Sequence, residues 1–183
     1  MKLHHLTKPA DTAKHKCLAL SVFADERPPR GICGYIDWRL NGFVSREIKA
    51  GKISGEFGKK TIIPFPARLD AEYLLFFGMG KLSRFNLERI NKAARQLIAA
   101  VDGLLISEFS FELPAEKRIT AGNAEIMEAV VTGFFDYLSE DADKLNRMVS
   151  CIVTQNAGTK EISAGIKSFK SKVKDLGTVK FSL

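Results

Sequence analysis

The sequence predicts an α/β fold: a three-layer α/β/α sandwich around a mixed, mostly parallel sheet. Short apolar runs alternate along the chain with amphipathic stretches long enough to be crossover helices, and that alternation demands parallel strands covered on both faces. The run "EYLLFFGM" is almost continuously apolar, as a strand buried on both sides is. At 183 residues, 45% hydrophobic and 27% charged, the chain has the size and composition of one globular domain with a proper core.

The elements follow in order. "CLALSVFA" (17–24) is short, apolar and bounded by charge, which reads as a strand. "DERPPRG" follows as a loop, because Pro28 and Pro29 stop regular structure. From Tyr35 to Ala50, the residues Ile36, Leu40, Phe43, Val44 and Ile48 fall on one helical face, and Gly51 stands where a helix terminates. "SGEFGKK" reads as a hairpin turn. "TIIPF" (61–65) is a strand that its prolines assign to an edge, and "EYLLFFGM" (72–79) a buried one. Asn86 caps a helix reaching about Val101, striped by Leu87, Ile90, Ala94, Leu97 and Val101. "GLLISEFSFEL" (103–113) is a strand, and Ala121 to Leu138 a helix with a wide apolar face. "NRMVSCIVT" (146–154) is a strand, and "SEDADK" before it a solvated helix exit. The last helix, 159–176, sets Ile162, Ile166, Phe169, Val173 and Leu176 against Lys160, Lys167, Lys170 and Lys174. "TVKFSL" closes the chain as a short strand. Residues 1–15 read as a basic lead and 16–183 as a single domain.

Composition excludes several classes. The longest apolar runs fall far short of a membrane span, so no membrane partner is expected. The N-terminus has no apolar core segment of a secretory signal. Cys17, Cys33 and Cys151 have no paired spacing, which suits free thiols in a reducing cytoplasm; Cys33, beside the prolines, is the one expected to meet solvent. Net charge is +7 and gathers at the ends. From Lys144 onward eight basic residues stand against Glu161 and Asp175. This makes the lysine face of the last helix a candidate nucleic-acid surface, DNA included, beside the plainer reading of a solvated face.

Catalytic chemistry finds no constellation. His4, His5 and His15 sit together near the start without ligand spacing, and HExxH, CxxC and GxSxG are all absent. No catalytic residue, metal or cofactor is expected. "GMGK", at Gly78, Gly80 and Lys81, is the one candidate ligand site. Glycines after a parallel strand let backbone N–H groups approach a phosphate, yet strand exits also use glycine for tight turns. Trp38, the single tryptophan, falls opposite the Ile36–Leu40–Val44 stripe. It is either an interface anchor or covered by the Pro28–Pro29 loop.

Asp37, Leu40–Asn41–Gly42, Gly51, Gly55, Gly58, Gly78, Gly80, Lys81 and "KAARQL" stand in an order and spacing that resembles the N-terminal domain of the leucyl aminopeptidase family. "EAVVTGFFDYLSEDADKLNRMVSCIVTQ" is similar to that domain's final helix and strand, so the likeness spans roughly residues 17 to 176. The resemblance implies a macro-domain-like fold. It also implies no peptidase activity for these residues, because the family's two metal ions belong to a separate C-terminal domain whose NTDAEGR-type run does not occur here. "KDLGTVKFSL" stands about where the linker into that domain begins. In full-length members the domain helps build the oligomer and, in some bacterial ones, contacts DNA. A protein partner or self-association is therefore expected first. The resemblance makes the GMGK turn a structural strand exit. A nucleotide or ADP-ribose-type ligand, held in macro domains by glycine-rich loops, is the alternative.

Overall fold

The computed structural model describes residues 1–6, 8–155, 157–173 and 180–182. Seven strands form one sheet: β1 (Lys2–Leu6), β2 (His15–Phe23), β3 (Lys60–Pro64), β4 (Ala71–Gly80), β5 (Glu108–Glu112), β6 (Val149–Val153) and β7 (Lys180–Ser182). Their spatial order is β3-β4-β2-β5-β6-β1-β7. Only β3 runs antiparallel, against β4; all other pairs are parallel. The parallel strands therefore end on one common edge, where loops gather.

Period-two alternation explains why the central strands are apolar throughout. Leu18, Leu20 and Val22 of β2, with Leu74 and Phe76 of β4, face one core. That core is closed by α1 (Gly31–Arg39) and α2 (Phe43–Lys49) through Ile32, Ile36 and Val44. Cys17 and Ala19, with Leu75 and Phe77, face the larger core on the other side. There α3 (Leu87–Gly103), α4 (Asn123–Leu138) and α6 (Thr159–Lys172) supply Ile90, Ile98, Val130, Phe134, Ile162 and Phe169. Asn86 caps α3, its side chain accepting from the Arg89 N–H at 2.9 Å.

Four local features differ from the sequence reading. The helix expected from Tyr35 to Ala50 is two helices, broken where Asn41 and Gly42 take left-handed φ of 55° and 71°. Asp37 drives the break: its carboxylate accepts from the Ser45 N–H at 3.0 Å and from the Ser45 hydroxyl, satisfying the first turn of α2. The N-terminal residues are not only a lead. Lys2–Leu6 inserts between β6 and β7, with Met1 and Leu3 buried. A five-residue strand with two histidines lacks the apolar run that betrays a strand, and its partner β6 is some 150 residues away. The stretch before β5 is the end of α3 and an exposed Leu104–Leu105 turn. Part of "SEDADK" belongs to a short helix, α5 (Ala142–Arg147), capped by Asp141.

Cys33 is also a correction. It sits inside α1 at 0% exposure, and burial, with Glu112 and Asp37 nearby, pushes its thiol well above the ordinary range.

Candidate functional site

The loops at the C-terminal ends of the parallel strands are where ligands bind on open α/β sheets. In this chain several backbone donors there are already taken by its own carbonyls and carboxylates. At the end of β4, Gly78 N–H donates to the Lys59 carbonyl at 2.8 Å and Gly80 N–H to the Gly55 carbonyl at 2.8 Å. The next two donors, Leu82 and Ser83, reach the Asp25 carboxylate at 2.7 and 3.3 Å. The Leu82 N–H is the main reason the Asp25 carboxyl lies below its ordinary range. Lys81 is exposed. Gly78 is glycine because a Cβ there would fall 2.0 Å from the Glu56 carbonyl, and Gly80 because its φ is +78°.

At the end of β5, the Glu112 carboxylate turns into the first turn of α1. It accepts from the Ile32 N–H and the Ser21 N–H, both at 3.0 Å, and is only 4% exposed. Burial pushes its carboxyl up to about 7, against those N–H groups and Arg118, which pull it down. Arg118 donates to Glu26 at 2.6 Å, stands 3.9 Å from Glu112 and lies over the Phe23 ring. In the loop between β6 and α6, Glu116 accepts from the Gln155 N–H at 2.8 Å and from the Ala157 N–H. Glu125 and Glu161 take the Gly122 and Gly158 N–H groups at the starts of α4 and α6.

Among the described residues two hollows stay open at this edge: one of about 360 Å³ beside Leu82, Ser83 and Arg118, and a larger one of about 550 Å³ beyond β1 and β6, lined by His5, Lys8, Tyr35 and Thr159 among others. His5 is tied on both ring nitrogens, to Thr154 Oγ1 and Thr159 Oγ1, each at 3.1 Å. The Thr154 hydroxyl donates to the Ala157 carbonyl, so toward His5 it accepts. The network thus assigns the His5 proton to Nε2. Burial lowers the His5 pKa, which favours this neutral ring. A third space, between the sheet and α3–α4 beside Ser21 and Glu112, holds about 20 Å³, roughly one water.

The other candidate residues lie apart from this edge and from each other. Trp38 is 71% exposed on α1 and is not covered by the Pro28–Pro29 loop; its ring stacks on Tyr35 at 6.0 Å. Lys160, Lys167 and Lys170 are exposed on α6, opposite the buried Ile162, Ile166 and Phe169. Lys174 lies outside the described residues. Among the described residues no group of three His, Cys, Asp or Glu is placed to hold a metal ion. None of their helices is long and apolar enough to cross a membrane. Sequence reasoning missed Asp25, Glu112, Glu116 and Arg118. The one available signal was a glutamate between Phe111 and Leu113, a charge in an otherwise apolar strand.

Comparison with known proteins fits this fold. Residues 19–143 match the profile of the cytosol aminopeptidase family, N-terminal domain, and the chain belongs to that family. A probable cytosol aminopeptidase of Sulfurihydrogenibium sp. (strain YO3AOP1) is 27% identical over 133 residues, covering 73% of this chain and 26% of that protein. One from Burkholderia orbicola (strain MC0-3) is 30% identical over 110 residues, 58% of this chain and 22% of that protein. The chain thus spans about a quarter of the length of these relatives. The fold is that of macrodomains. The Trypanosoma brucei macrodomain in complex with ADP superposes with a TM-score of 0.69 at 13% identity, covering 90% of this chain and 67% of that one. The macrodomain of Mycobacterium tuberculosis DarG gives 0.64 at 14% identity, covering 84% and 98%.

Proposed function

We propose that this chain is a non-catalytic interaction or oligomerisation module built on the cytosol aminopeptidase N-terminal domain, working in a reducing compartment such as the cytoplasm. One observation carries the reading. The strand-end N–H groups that would cradle an external phosphate are taken by Asp25, Glu112 and Glu116. A phosphate arriving there would meet carboxylates, and like charges at hydrogen-bond range repel. The free cysteines support the compartment.

A second reading, a macro-like binder of a nucleotide or ADP-ribose-type anion, has one feature in its favour: the hollow of about 550 Å³ by His5 and Lys8 is roomy enough. Isothermal titration of the chain with ADP-ribose separates the two. No heat of binding up to millimolar ligand is expected. Saturable binding lost in a Lys8→Ala variant would replace the first reading with the second. In the same preparation, aminoacyl substrates with manganese or zinc are expected to stay uncleaved, and metal-dependent turnover would overturn the non-catalytic assignment.

A further inference from the structure

Pro28 is exposed between two shallow hollows, with Pro29 buried behind it. On one side lie Trp38, Gly34 and Arg30, in a space of about 610 Å³. On the other lie Arg27, Ser45, Ile48 and Lys49, in about 380 Å³. Trp38 has one face braced by Tyr35, with ring planes 26° apart, which holds a large apolar surface ready in one orientation.

Charge decides what fits. Arg27, Arg30 and Lys49 are exposed and have no carboxylate partner among the described residues. Three of the acids around them are paired with other cations: Glu26 with Arg118, Glu47 with Lys52 and Asp11 with Arg39; Asp37, only 7% exposed, accepts from Ser45. The exposed apolar surface is thus that of Pro28 and Trp38, flanked by three cations without an ion-pair partner among the described residues, with the buried Asp37 carboxylate as the one acid lining the Trp38 hollow. A second copy docking through a two-fold axis would set these cations against their own copies. A polynucleotide needs successive aromatics and a track of cations, and here one indole and three charges are gathered around one proline.

We propose that the surface of Pro28 and Trp38 docks an acidic peptide segment of another protein, which lays an apolar or proline side chain beside the indole and its carboxylates on Arg27, Arg30 and Lys49. The inference rests on reading the chain as an interaction module, and names the partner's chemistry for it.

Trp38 is the only tryptophan, so its emission reports on this surface alone. The probe is a capped hexapeptide, Glu-Glu-Pro-Leu-Glu-Glu, titrated into the intact chain. A saturable blue shift of the emission that weakens as salt rises is expected, with binding about tenfold weaker in the Arg30→Glu, Lys49→Glu double variant. Both are solvated side chains, and circular dichroism checks that the variant is folded. Trp38→Ala, followed by anisotropy of a labelled peptide, is expected to lose binding as well. An unchanged emission, or an equal response to the lysine counterpart of the peptide, overturns the proposal. So does a response to oligothymidylate but not to the peptide, or a concentration-dependent shift of the chain alone, which would place a second copy on this surface. Failure of the broader reading is separate: it shows as ADP-ribose binding, whatever Trp38 does.

Discussion

Glu112 is where a single side chain has the most leverage. Its carboxyl, ordinarily near 4.5, is pushed up to about 7 by burial, so the folded state holds the proton more tightly than the unfolded chain. A raised acid stabilises the fold fully below its unfolded value and loses that contribution as pH climbs through the folded one. Glu112→Gln removes the titration, though its amide keeps an acceptor oxygen for only one of the Ser21 and Ile32 N–H groups and turns its NH2 toward the other. Relative to its difference at pH 4.5, the variant is expected to gain on wild type by at most about 3 kcal/mol above pH 7. Urea unfolding of both proteins at pH 4.5, 6 and 8 tests this, and a constant difference across the series would refute it. At the GMGK turn the two residue types divide differently. Gly78→Ala forces a methyl group against the Glu56 carbonyl and is expected to cost on the order of 2 kcal/mol. Lys81→Ala is expected to stay within about 0.5 kcal/mol. Thermal unfolding of the pair reads both, and the reverse ranking would show that the lysine carries a role the fold does not.

Among the elements, α6 is the most revealing, because one face is set by packing and the other by solvent. Gly165 meets α4 so closely that a Cβ would fall 2.3 Å from the Ala124 carbonyl and 2.8 Å from Met127 Cβ. Gly165→Val is therefore expected to lift α6 from α4 and destabilise the domain by about 3 kcal/mol, with faster amide exchange in α6 before the sheet opens. Exchange rates unchanged in α6 would show that the helix pair can yield at this point. On the opposite face Lys160, Lys167 and Lys170 touch nothing that holds the helix in place, so the fold leaves them free to vary. The elbow between α1 and α2 teaches the converse. Its residues Asp37 and Leu40–Asn41–Gly42 are among those by which the chain resembles its family, and they serve the local geometry: a left-handed break, with Asp37 satisfying Ser45 at the new helix start.

At the scale of the whole molecule, several N–H groups at the C-terminal ends of the strands are taken by carboxylates of the chain itself, while hollows stay open beside His5 and beside Leu82. The sequence by itself determined the layered α/β architecture, the buried central strands, the Asn86 cap and the amphipathic last helix. These rest on period and composition, which neighbouring residues carry: Leu74 to Met79 are apolar because both faces of β4 are covered. Gly78 and Gly80 were legible as strand-exit glycines, though not the geometry each one serves, whereas Asn41 and Gly42 read in the sequence as part of one helix. Tertiary structure alone decided the rest. It drew Lys2–Leu6 into the sheet beside β6, because strand pairing answers to unmet backbone groups on a distant edge and not to the apolar content of five residues. It buried Cys33 and exposed Trp38, since which side of a short helix meets the sheet depends on where the chain breaks at Asn41–Gly42. It also brought Glu112 to α1 across 80 positions, and Glu116 to the loop before α6 across 39. No local pattern encodes such pairs, because a carboxylate and the N–H groups it satisfies come together only when the sheet has assembled between them.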